Sequence, residues 1–124
     1  MSRRRETGGR AHARGIAAEA AACAALVRDG WTVLGRRVRT EAGEIDVVAA
    51  TADMLAIVEV KARATLADAA MALSARQRAR LLGAADIVLA DHPDWARAGM
   101  RFDLIVVDAA GTVRRIADAF RWEN

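Results

Sequence analysis

The chain has 124 residues, 54% of them hydrophobic, and a formal net charge of +3, so it holds one domain with a modest, alanine-rich core and permits an anionic partner without requiring one. The single cysteine excludes an internal disulfide or a thiolate metal cluster and fits a reducing, cytoplasmic compartment. His12 and His92 lack zinc spacing, and no stretch approaches the roughly 18 apolar residues of a membrane span.

Residues 1–13 carry Arg3, Arg4, Arg5 and Arg10 with no apolar segment behind them and read as a basic flexible tail ahead of a single domain over 14–124. Ile16 to Asp29 is Ala-rich and unbroken, a helix with Gly30 as its stop. Ile16, Cys23 and Leu26 fall on one stripe at helical spacing, and Glu19 falls on that same stripe. Trp31 to Val38 reads as a strand whose far end is crowded by Arg36, Arg37 and Arg39, and Thr40 to Gly43 as a loop. Glu44 to Ala50 and Met54 to Ala62 are β-rich runs around a short turn, an antiparallel hairpin. Leu66 to Ala90 is helical in composition, in two pieces if the Ser74/Gln77 capping box opens the longer one; Leu81, Ala84, Ala85 and Val88 then face the core. Asp91 to Asp94 breaks the helix, Phe102 to Asp108 is a strand covered on both faces, and Thr112 to Ala117 is a last short strand. The order is α-β-β-β-α-β-β, one mixed α/β domain.

Lys61 is the one lysine among 19 Lys and Arg. In so Arg-biased a chain it is a candidate for work that a wide, permanently charged guanidinium cannot do. Strand alternation puts Glu44, Asp46 and Val48 on one face of the second strand, with Ile45, Val47 and Ala49 on the other. In the third strand Ile57, Glu59 and Lys61 share a face. Asp46, Glu59 and Lys61 therefore converge if the hairpin register aligns them. Acidic groups on an apolar strand, and Glu19 on an apolar helix stripe, need a partner: a shared metal or an arginine. Three carboxylates with waters suit Mg²⁺ or Mn²⁺. Metal-bound carboxylates beside a lysine suit phosphodiester hydrolysis, in which the cation lowers the pKa of bound water and the lysine orients it or offsets developing charge. The bland alternative is a cross-strand salt-bridge ladder worth about 0.2–1 kcal/mol per pair.

Glu59-Val60-Lys61 on a strand, Asp46 on the adjoining strand and Glu19 on the first helix resemble the PD-(D/E)XK nuclease signature, with spacing similar to archaeal Holliday-junction resolvases. The ordered series resembles more closely the bacterial YraN-like family of predicted endonucleases. Its pieces are Gly15 to Glu19 through Gly30-Trp31, Gly43 to Ala49, Val58 to Arg63, Arg101 to Ile105 and Asp118 to Phe120. The resemblance implies a restriction-endonuclease-like mixed sheet and a metal-dependent endonuclease acting on DNA, branched or flapped DNA included. It assigns the metal to Asp46, Glu59 and Glu19, with the Val60 carbonyl as a further ligand, and the catalytic lysine to Lys61. Where related chains often carry a lysine, this one has Gln77, which stands either as an active-site residue or as the capping-box partner of Ser74. A resolvase-like unit implies a homodimer. Two rival readings stay open: a non-catalytic nucleic-acid-binding module on the same fold, and a partner-binding protein with an Ala-rich surface. Glu44 and Arg63 are as readily salt-bridge or strand-end residues as site residues, and Arg76 and Arg80 share a helix face that is either solvated or follows a nucleic-acid backbone.

Overall fold

In the computed structural model the backbone is described for residues 2–120, and side chains for 15–65, 67–68 and 71–120. Helix α1 (Ser2–Arg28) leads into strands β1 (Thr32–Thr40), β2 (Gly43–Ala50) and β3 (Met54–Ala62). Helices α2 (Leu66–Ala72) and α3 (Ala75–Asp91) and a 3-10 turn at Pro93–Trp95 connect to β4 (Gly99–Val107) and β5 (Val113–Phe120). The five strands lie in chain order, antiparallel except for the parallel β3/β4 pair, so α2 and α3 form the crossover. The expected helical stretch is thus split in two. The start of α1 coincides with the expected basic tail, whose side chains lie outside the described residues.

The sheet is covered on both faces. On one, Ala18, Ala22, Cys23 and Leu26 of α1 pack on Val47, Ala49, Ala56, Val58 and Ile105. On the other, Leu81, Ala84, Ala85 and Val88 of α3 pack on Ile45, Val48, Leu55, Ile57 and Phe102. Double coverage explains why β3 is buried from Leu55 through Glu59 and reads as a near-continuous apolar run. Ile16, expected on the buried stripe, is 40% exposed; the buried part of that stripe begins at Ala18.

Local chemistry sets the boundaries. Gly30 at φ 92° closes α1, with the Gly30 amide donating to the Val27 carbonyl and the Trp31 amide to that of Leu26. Thr40 Oγ1 accepts from the amides of Ala42 and Gly43 and turns β1 into β2. Ser74 Oγ accepts from the Gln77 amide and opens α3.

Within β2, side-chain alternation fails in one place. Val47 and Ala49 face α1, as alternation requires, but Ile45 packs with Val48 on the α3 side. The expected grouping of Ile45 with Val47 and Ala49 is therefore corrected. The cause lies across the ladder, which runs Arg36↔Val47 and then Val38↔Ile45, with Arg37 between them at φ 49°. Asp46 sits at this break.

Candidate active site

β2 and β3 pair from Ala50↔Leu55 to Val47↔Val58. Beyond that point the Asp46 side chain takes over from the backbone: its Oδ2 accepts from the Val60 amide at 2.8 Å. The strands part there, and the carboxyl groups of Asp46 and Glu59 meet in the gap within hydrogen-bonding reach. Glu59 is 7% exposed. Its Oε1 accepts from Gln77 Nε2 at 2.9 Å and lies 3.3 Å from Lys61 Nζ. The alternation that puts Glu59 and Lys61 on the α3 side of β3, and Gln77 on the first turn of α3, assembles this set.

A buried acid in contact with a half-buried one disfavours a second negative charge. Burial, then the Asp46 charge, push the Glu59 carboxyl up to about 7 against the pull of Lys61. Burial also raises Asp46, while the Val60 amide opposes it. The pair therefore tends to retain a proton close to neutral pH, a state that a cation between the two carboxylates would replace.

Glu19 is buried on the α1 stripe and carries a partner of the second expected kind. Arg37 Nε donates to Oε1 and Oε2 at 3.1 and 3.2 Å, and Arg36 Nε lies 3.8 Å from Oε1. The Glu19 charge still reaches Asp46 and raises its pKa. Among the described residues, no group of three His, Cys, Asp or Glu side chains converges on a metal-sized site. The structure thus brings together Asp46, Glu59, Lys61 and Gln77, with the Val60 amide, and sets Glu19 beside them in an arginine pair. Gln77 forms half of a capping box: its amide binds Ser74, but its side chain goes to Glu59. Glu44 pairs with Arg39 at 3.4 Å on the exposed surface. Arg63, Arg76 and Arg80 are exposed.

Sequence reasoning missed Arg37, because nothing in the string Arg36-Arg37 marks a left-handed backbone. A second cluster lies near the start of β4, where Arg101 and Asp103 are joined by Arg115 of β5. Asp103 is fully buried, accepts from Arg101 and Arg115 and from the Asp118 amide, and the two guanidiniums lie 4.9 and 4.8 Å from the Trp31 ring centroid.

The model of the uncharacterised protein family UPF0102 matches residues 18–107, which include Glu19, Asp46, Glu59, Lys61 and Gln77. The chain belongs to this family. A UPF0102 protein of Granulibacter bethesdensis is 60% identical over 94% of this chain and 74% of its own length. One from Azorhizobium caulinodans is 47% identical over 92% and 87%, and one from Acidiphilium cryptum 45% identical over 93% and 89%. The chain therefore spans most of each of these UPF0102 relatives.

Proposed function

We propose that this UPF0102 protein is a metal-dependent endonuclease-like protein of the PD-(D/E)XK type, hydrolysing DNA phosphodiesters, with branched or flapped DNA among its substrates. One observation carries the reading: β2 and β3 open where Asp46 replaces a ladder hydrogen bond, and the gap holds a half-buried and a buried carboxyl group, those of Asp46 and Glu59, beside the sole lysine. A salt-bridge ladder would leave strand pairing intact and its charges in solvent. The element order, with the acids on consecutive strands and a helix supplying Gln77, supports a restriction-endonuclease-like core.

The donor chemistry fits Mg²⁺ or Mn²⁺. Asp46 and Glu59 offer adjacent carboxylate oxygens whose repulsion a divalent cation would relieve, and the Val60 carbonyl is the backbone candidate that the family resemblance names for a further oxygen donor. When bound, the cation supplies a water of lowered pKa and neutralises charge on the phosphate. The chain's own groups do the rest. The Val60 amide fixes Asp46 Oδ2. Gln77 and Lys61 hold Glu59 Oε1, which orients the carboxylate. Lys61, with its side chain 14% exposed, supplies a compact positive charge beside the pair for the water or the developing phosphoryl charge.

The test is cleavage of duplex, single-strand, flap and four-way DNA with Mn²⁺. Wild type is expected to cut at least one of them and Lys61→Ala to lose about 10²-fold or more, the size expected when one electrostatic donor is removed. Equal behaviour of the two proteins on every substrate overturns the reading. The arginine pairing of Glu19, which leaves two carboxylates rather than three at the gap, favours one alternative, a non-catalytic nucleic-acid-binding module. That module would bind DNA without divalent metal and keep its affinity in Asp46→Asn and Glu59→Gln.

A further inference from the structure

Arg36 and Arg37 are consecutive residues of β1, and consecutive strand residues ordinarily point to opposite faces. Here both guanidiniums reach one carboxylate, that of Glu19, at 3.8 and 3.1 Å. They do so because Arg37 adopts φ 49°, a left-handed backbone that a non-glycine residue takes only at a cost. The register puts Arg37 level with Asp46, between the Arg36↔Val47 and Val38↔Ile45 pairs. Two cations share one anion, so the cluster carries a surplus positive charge. Both arginine side chains are also open to solvent, at 46% and 44% exposure, while the Glu19 side chain is 10% exposed. A purely structural partner for a buried glutamate needs one arginine and no left-handed residue.

We propose that Arg36 and Arg37 form a phosphate clamp for the DNA strand entering the Asp46–Glu59 gap, with Glu19 as the anion that holds the guanidiniums in place. This deepens the nuclease reading and rests on it, since the clamp is defined by its position beside that gap. A phosphodiester oxygen has the charge and the acceptor geometry that a guanidinium fork takes in two parallel bonds. The exposed sides of the two forks remain available while Glu19 occupies their buried side. Backbone strain at Arg37 is then the cost of presenting two adjacent forks to one ligand.

The experiment is binding of a fluorescein-labelled DNA duplex by fluorescence anisotropy, without divalent metal, across a salt series. Each phosphate contact contributes a slope of about −0.9 in log K against log salt. Arg37→Gln is expected to lower the magnitude of the slope by about one. Affinity then falls three- to fourfold less between roughly 50 and 200 mM salt than in wild type. Glu19→Gln, which removes the competing negative charge while its amide oxygen still accepts from Arg37, is expected to bind more tightly with a steeper slope. If Arg37→Gln does not fold, the Glu19→Gln arm decides alone. Unchanged slopes in folded variants, or weaker binding in Glu19→Gln, overturn the clamp. Lys61→Ala cleavage reads separately: lost cleavage with unaltered slopes sinks the clamp and leaves the nuclease, and the converse sinks the nuclease.

Discussion

Glu59 is where burial, charge and hydrogen bonding oppose one another most sharply. In the unfolded chain its carboxyl titrates near 4.5, and in the folded protein near 7, because burial and Asp46 disfavour its anion. The folded state therefore binds more protons than the unfolded state between these values, and stability falls as pH rises through that window. In metal-free protein, the Tm of Glu59→Gln is expected to exceed that of wild type at pH 8, by on the order of 5 °C, and to converge with it near pH 5. A gap that does not narrow at acid pH would show that Glu59 does not hold the proton. The same logic makes Mn²⁺ stabilisation of wild type larger at pH 8 than at pH 6, where protons compete for the carboxylate. A thermal shift that is larger at pH 6 contradicts it.

Helix and strand boundaries follow local rules, and those rules account for what was legible in the sequence. Met54–Ala62 is a strand because β-branched and apolar residues fill it, and the buried face of α3 is the stripe that its spacing requires. Gly30 at φ 92° and Ser74 as an N-cap act through the backbone alone. Gly30→Ala is expected to cost about 1–2 kcal/mol and Ser74→Ala about 1 kcal/mol, both read from urea midpoints at constant m. The break in β2 was not legible, because it depends on a conformation rather than a composition. Arg37 and Asp118 both have positive φ, and each serves a buried carboxylate on another element: Arg37 binds Glu19 through its guanidinium, and Asp118 binds Asp103 through its amide. A glycine would have announced such a backbone, but an arginine and an aspartate do not. The acids at 19, 46 and 59 could be picked out from stripe and alternation. Which of them would meet, and which would pair with arginine, depended on the left-handed backbone at Arg37.

Among the described residues, the acids around Asp103 and around Glu59 occupy different parts of one sheet and are neutralised differently. Asp103 is saturated: two arginines, an amide and the Trp31 ring close around it. It ties α1's exit to β4 and β5. Asp103→Ala leaves two guanidiniums unpaired and is expected to cost about 3–5 kcal/mol in urea unfolding, with a loss below 1 kcal/mol contradicting an anchoring role. The Asp46–Glu59 cluster sets two acids against one lysine, and a proton or a cation would balance the second charge. That imbalance, beside a fully buried Asp103 so completely neutralised, is the motive for reading the gap as a site. The measurement that tests it most directly is anomalous diffraction from Mn²⁺-soaked crystals. A peak is expected between the Asp46 and Glu59 carboxylates and is expected to be absent in Asp46→Asn crystals. A fully loaded soak with no peak there, or the same peak retained in the variant, contradicts it.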